Sequence, residues 1–391
     1  MRVILDGTPL LGPRTGVGHY TGHLLAELPL LPGLDVAATA FTWRGLEEFA
    51  PALPPGVRPA ARRIPARLVH EAWARTDAPK LEWLAGAADV VHATNFVLPP
   101  LRRARGVLTI HDLAYLKLTS TVSTASARYR ELVPRGLRRA AAVVTPSAAI
   151  ASEIVDTYRL DPATVTVTPL GVDAAWFDAS PPSARWLAAR GLPERYLLFV
   201  GTLEPRKNLP TLLEAVRGLH AEVADAPPLL LVGPSGWGPL PDQSRLPTGA
   251  VITTGYLPTN QLRRLVAGAV ALCFPSFYEG FGLPPLEALA AGTQVVASDI
   301  PAVREVVGPL AGKGVRLVPP MDAEAFTDAL IGVLKEIPDP APGRSHARTF
   351  TWRRTAEHTA AVHAPPSPDP PHPVGGFRRH SSGLDLQQRK P

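Results

Sequence analysis

A single cysteine, Cys273, in 391 residues leaves no pair for a disulfide and no thiol cluster for a metal. It falls inside the apolar run "AVALCF", so the chain reads as one made for a reducing compartment. No stretch approaches ~18 uninterrupted apolar residues, so no transmembrane helix is expected. The opening "MRVILD" enters a strand with an acidic end and no long apolar segment follows, so the expectation is a cytoplasmic protein without a secretory signal. Also missing are an Asp-x-Asp pair to hold a divalent cation on a diphosphate, a His and Cys cluster, and a serine elbow. The chain is therefore expected to use no metal and no cofactor. A concentrated basic patch is missing too: the formal net charge is +6, but the basic residues are dispersed without interleaved aromatics, which argues against nucleic acid. The densest basic stretch, "RPAARRIPARLVHEAWAR", sets Arg58, Arg62, Arg63, Arg67 and Arg75 beside Leu68, Val69 and Trp73. It suits a solvated face first and, second, a peripheral contact with the inner face of an anionic membrane.

What the chain does contain is strand and helix in alternation, the pattern of α/β layers. Strand-like runs at "RVILD", "DVAATAF", "ADVVHAT", "GVLTIHD", "AAVVTPS" and "TVTVTPL" form a first series, separated by helical patterns such as "GVGHYTGHLLAEL" and "SAAIASEIVDTY". A second series follows at "YLLFVG", "PLLLVG", "GAVITTG", "AVALCFPS", "TQVVASD" and "GVRLV". The spacing predicts two wound parallel domains, 1–175 and 176–342, joined by the segment around "SPPS". Proline, at 45 residues, is more than twice as frequent as the ~5% of average chains. Much of that excess lies in loops and after Ala364, where "APPSPDPPHPVGGF" has no hydrophobic period and a disordered tail is expected over 364–391.

In open parallel α/β sheets ligands bind beyond the carboxyl ends of the strands, and four motifs fall there. The loop "PRTGVGHYTG" places Gly16, Gly18 and Gly22 at a helix start. Nine residues separate it from the preceding strand, and no acid ends the second strand, so it is a poor dinucleotide fingerprint. A phosphate or sugar approaching the backbone at Gly16 and a plain tight turn both remain open. In "TIHDL", His111 ends a strand and faces the cleft, or else pairs locally with Asp112. In "FVGTLEPRKN", Arg206 and Lys207 precede a helix near Leu209, a ready anion site; lysine supplies only 6 of the 40 basic residues, so Lys207 is unlike compositional filler. The fourth is "FYEGFGLPPLEALAAG", with Glu279 and Glu287 eight positions apart. As ordinary structure it is a loop and a helix begun by proline and ended at Gly292, with Glu287 in the first turn. As a site, the amides of Phe281, Gly282 and Leu283 bind oxygens while a carboxylate grips hydroxyls.

Taken together, "TGVGHY", "IHDLAYL", "VTPLGVD", "VGTLEPRKN", "TGYLP" and "FYEGFGLPPLEALAAGTQVVASD" resemble the family-four retaining glycosyltransferases of GT-B fold, over about residues 2–363. The resemblance implies two Rossmann-like domains facing across a cleft: an acceptor-binding one at 1–175 and a nucleotide-sugar donor one at 176–342, with a helix at 343–363 crossing back to the first. It implies that Glu279 contacts the transferred sugar and Glu287 the ribose. The amides of Phe281, Gly282 and Leu283 then meet sugar and diphosphate, Arg206 and Lys207 meet the diphosphate, His111 lies near the reacting sugar, and Gly16 approaches the donor. His111 and Glu279 are the residues placed at the chemistry. The implied reaction is metal-independent, retaining transfer of a hexose, mannose from GDP-mannose being the subset most similar, to a saccharide or lipid-linked acceptor. A nucleotide-sugar epimerase or hydrolase, or an inactive nucleotide-sugar-binding protein, are the alternatives. Two departures bear on it: Thr202 stands where many members have an arginine, and His19 replaces a usual basic residue of the glycine loop.

Overall fold

The computed structural model describes residues 1–12, 16–118, 128–236 and 242–365. The tail expected to be disordered lies outside the described residues from 366 onward. Among the described residues, thirteen strands form two sheets. The first contains β1 (Arg2–Asp6), β2 (Asp35–Thr39), β3 (Arg58–Pro59), β4 (Val90–Ala93), β5 (Arg105–Thr109), β6 (Ala142–Thr145) and β7 (Val165–Val167). The second contains β8 (Leu197–Val200), β9 (Leu229–Val232), β10 (Val251–Gly255), β11 (Ala271–Phe274), β12 (Gln294–Ser298) and β13 (Val315–Val318).

All strand pairs among the described residues are parallel. Helices cover both faces of such sheets, which is why the central strands are continuous apolar runs, "LLFV", "LLLV" and "ALCF", rather than alternating ones. Cys273 is fully buried in β11, where burial pushes its thiol up to about 12 and leaves it inert. The sequence reading missed β3. It is two residues long, ends in Pro59, and pairs on one side only, the edge position that tolerates a proline.

Strand order is β3-β2-β1-β4-β5-β6-β7 in one sheet and β10-β9-β8-β11-β12-β13 in the other. Each order turns back on itself once, between β1 and β4 and between β8 and β11. Those reversals open a crevice at the carboxyl ends of the central strands. The loops after β8 and β11 carry Arg206, Lys207 and Glu279, and the loop after β5, next to β4, carries His111.

The two crevices meet. The position a Cβ would take at Gly280 lies 2.0 Å from the backbone oxygen of His111, so only glycine fits there. Ser147 Oγ donates to the Gly280 carbonyl at 2.7 Å. Glu305, on the helix Pro301–Val307, accepts from the amides of Ala148 and Ala149 at 2.8 and 3.1 Å, capping the helix Ala148–Tyr158 that follows β6. The last described helix, Trp352–His363, packs on the first sheet's side: Trp352 stacks on His23 at 4.5 Å, and His363 Nε2 lies 3.1 Å from His92 Nδ1. Among the described residues, no helix is long and apolar enough to cross a membrane.

Candidate active site

Arg206 and Lys207 are held by the backbone that carries them. After β8 the chain turns through Pro205–Lys207 into the helix Leu209–Glu222. Asn208 sits at the join with a positive φ of 54°, which asparagine tolerates better than most residues. Its Nδ2 donates to the carbonyls of Pro275 and Pro320 at 3.0 and 2.6 Å, and its Oδ1 accepts from Thr211. The loop after β8 is thereby stitched to the loop after β11.

Glu279 rises from that second loop between the two cations. Arg206 Nη1 donates to one carboxylate oxygen at 2.8 Å and Lys207 Nζ to the other at 2.5 Å. Arg206 Nε is paired with Glu204, whose side chain is 4% exposed, and Nη1 also reaches the Tyr278 carbonyl at 3.3 Å. Burial opposes the charge on Glu279 more than any other single influence. Arg206 and Lys207 together override it and hold the carboxyl at about 2. Burial likewise opposes the charge on Arg206, but Glu279, Asp112 and Glu204 raise its pKa. Lys207 is lowered by burial and by Arg206, against the pull of Glu279. Buried ion pairs are a poor way to gain stability, because desolvation offsets attraction. Four charges packed at a strand end therefore add little net stability to the fold.

The second glutamate occupies a different environment. Gly282 takes φ 110° to start the helix Leu283–Ala291, and Pro284 and Pro285 fill its second and third positions without N–H groups. The donors at this helix start are therefore the amides of Phe281, Gly282 and Leu283. Glu287 lies in the second turn, not the first, because Leu283 rather than Pro284 begins the helix. Burial raises its carboxyl to about 8; Arg263 works against this, Asp173 adds to it, and a hydrogen bond from Trp176 opposes it. Arg263 does not neutralise Glu287 because it is committed to Asp173 at 2.6 Å. At pH 7 Glu287 is a neutral acid, able to donate as well as accept.

On the first sheet, His111 Nε2 lies 2.8 Å from the Thr94 carbonyl. That oxygen only accepts, so Nε2 carries the proton and Nδ1 the lone pair. Tyr20 and Phe96 meet the ring edge-on at 5.0 and 5.8 Å. Burial lowers its pKa, with Thr94 and Asp112 opposing, so the imidazole is neutral at pH 7. The local His111–Asp112 pairing does not form as a hydrogen bond, because Asp112 accepts from the Ala114 amide instead. Gly16 opens the helix Gly16–Glu27, and among the described residues nothing beyond its chain neighbours and its own helix backbone lies within 4 Å of where its Cβ would be. No described contact joins it to the charged cluster, and Pro13 to Thr15 of its loop lie outside the described residues. Sequence reasoning singled out neither Glu204, although "TLEPRKN" contains it, nor Tyr278, Asp173 and Arg263.

The first half, residues 14–176, matches the family model described as Glycosyltransferase Family 4, and residues 194–336 match that described as Glycosyl transferases group 1. The chain is 29% identical over 393 residues to an O-antigen chain mannosyltransferase B of Escherichia coli, covering 92% of this chain and 98% of that one. It is 31% identical over 306 residues to a glycogen synthase of Mycobacterium tuberculosis, covering 70% of this chain and 68% of that one. Among solved structures, Anabaena HepE in complex with UDP and glucose superposes with a TM-score of 0.66 at 16% identity, over 93% of this chain and 99% of that one. Two wound sheets meeting at their switch points, matched in both halves, show that the chain belongs to the family-four glycosyltransferases and has the GT-B fold.

Proposed function

We propose that this glycosyltransferase moves a hexose from a nucleotide sugar, mannose from GDP-mannose, to a saccharide or lipid-linked acceptor, with retention at the anomeric carbon and without a metal ion. The observation that carries the reading is Glu279 held between Arg206 and Lys207 at the mouth of β8 and β11. A carboxylate there is a resident counter-ion for the place a diphosphate would take. When the donor's diphosphate pairs with Arg206 and Lys207, Glu279 is released toward the hydroxyls of the sugar, and Glu204 remains on Arg206.

Cleavage of the anomeric C–O bond puts negative charge on the leaving diphosphate and positive charge on the sugar. Fixed cations and the amides of Phe281, Gly282 and Leu283 bind the leaving group more tightly as that charge grows, which lowers the barrier. That division of labour needs no metal to neutralise the diphosphate. Glu287, neutral and enclosed, exchanges hydrogen bonds with the ribose. In this reading Glu279 grips the hydroxyls of the sugar and Glu287 the ribose, so neither takes the role of the nucleophile of a retaining glycosidase. Retention then proceeds through an oxocarbenium-like state, the acceptor arriving on the face the diphosphate leaves, near His111. The segment 1–175 supplies acceptor contacts and 176–342 donor contacts, with the crossing helix at 343–363 tying them together.

Mannose is supported by the name of a relative that aligns with this chain over 92% of its length, while the glycogen synthase relative points to glucose. A lipid-linked acceptor would bring the protein to a membrane, and the helix Ala66–Arg75, with Leu68 exposed beside Arg67, is the surface that suits a peripheral contact. A thermal-shift panel of GDP-mannose, UDP-glucose, UDP-N-acetylglucosamine and their nucleotides tests the donor, since a ligand of the native state raises its melting temperature. GDP-mannose is expected to give the largest shift. Transfer in the presence of EDTA at an unchanged rate is expected, and donor consumption without acceptor at the full rate would favour a hydrolase.

A further inference from the structure

Tyr278 precedes Glu279 and belongs by backbone to the second sheet's loop, yet its ring packs on the first sheet's core, against a cluster of buried residues drawn wholly from residues 4–154. Its hydroxyl accepts from the Leu113 amide at 2.9 Å and donates to Glu153 Oε2 at 2.7 Å. Leu113 is two residues after His111, and Glu153 lies on the helix Ala148–Tyr158. Lys117 holds the other Glu153 oxygen at 2.7 Å and stands 5.2 Å from the centre of the Tyr278 ring. On the opposite side, the Tyr278 carbonyl accepts from Arg206, and the Phe277 amide donates to the Arg206 carbonyl at 2.9 Å. One residue thus touches the His111 loop with its hydroxyl and the cation loop with its backbone. The contact at Gly280 closes the same junction from the other flank.

We propose that Tyr278 is a positioning residue for the transfer step. Its hydroxyl, shared by Leu113 and Glu153, sets the spacing between Glu279 and His111, so it acts on turnover and leaves nucleotide affinity alone. The hydroxyl suits this task because burial, with Asp112 adding to it, keeps the phenol protonated. Breaking the anomeric bond needs the donor loop and the acceptor side in register, and a small misplacement of reacting groups is costly. The proposal rests on the transferase reading above.

The test is Tyr278→Phe, which removes one oxygen and keeps the ring. The release of nucleoside diphosphate from GDP-mannose, or from UDP-glucose if that is the donor bound, is expected to slow about tenfold in kcat, the size of one lost hydrogen bond. GDP or UDP affinity, measured by calorimetry, is expected to stay within about twofold. Hydrogen exchange at the Leu113 amide, read on the protein alone, is expected to quicken about tenfold. Glu153→Ala is expected to act in the same direction, the double variant falling well short of the product of the two. An unchanged kcat, a nucleotide affinity that falls in step with kcat, or fully multiplicative effects would overturn the proposal. If the wild-type protein binds neither GDP nor UDP, the proposed donor reading fails, while Leu113 exchange unchanged in Tyr278→Phe overturns the positioning role independently.

Discussion

The loops after β8 and β11 put Arg206, Lys207, Glu204 and Glu279 within ion-pair reach of one another, whereas the loops after β4 and β5 put a neutral imidazole among Tyr20, Phe96 and the Thr94 carbonyl. Both sheets are wound in the same order, so the winding does not account for the difference. It lies in the turn residues, and under the proposed function the charged mouth would face the leaving group and the neutral one the acceptor. The same contrast recurs within one helix and its loop. Glu279, between cations, is held at about 2, while Glu287, enclosed and with Arg263 committed elsewhere, is raised to about 8.

The largest disturbance should come from the point where the two mouths touch. Gly280→Ala places a methyl group against the His111 carbonyl and forces the loops apart. Transfer is expected to fall by on the order of 100-fold or more in a steady-state assay, while calorimetry still finds nucleotide bound to the second half. Removing one charge from one mouth comes next. Lys207→Ala is expected to lower kcat by on the order of 100-fold, with a far-ultraviolet circular dichroism spectrum matching the wild type; wild-type turnover would remove the diphosphate assignment. The smallest effect is expected at Glu287→Gln, because the native group is already neutral at pH 7, and kcat/KM should stay within about threefold. The pH dependence separates the two glutamates further. An acid raised in the folded state holds its proton after the unfolded chain has lost it, so Glu287 makes stability fall as pH rises from 4.5 towards 8. Glu279 works in reverse, its contribution present above 4.5 and lost as pH falls towards 2. Chemical denaturation across that range should show Glu287→Gln flattening the alkaline limb alone.

The strand series, the wound architecture and the pairing of Arg206 and Lys207 with a strand end were legible in the sequence because they are local: apolar runs, turn residues and a proline at a helix start. The short edge strand β3 was not, since two residues ending in proline carry no periodic signal. The surroundings of the glutamates were not legible either. Tyr278 meets Leu113 across 165 positions, Glu279 meets Arg206 across 73, and Asp173, in the connection between the two halves, fixes Arg263 across 90. Such contacts follow from which strands lie side by side and from how the sheets face each other, which no window of sequence encodes. Hence two glutamates of one motif read alike in the chain, and only burial and partners set their charges apart.

Under the proposed function, Glu279 stands beside the place a diphosphate would take. Calorimetric titration of GDP and GMP into the wild type and into Glu279→Gln tests it most directly. The wild type is expected to bind GDP well and GMP poorly, and Glu279→Gln to bind GDP several-fold more tightly while its transfer rate falls. Weaker GDP binding by Glu279→Gln, or equal binding of GDP and GMP by the wild type, would contradict it.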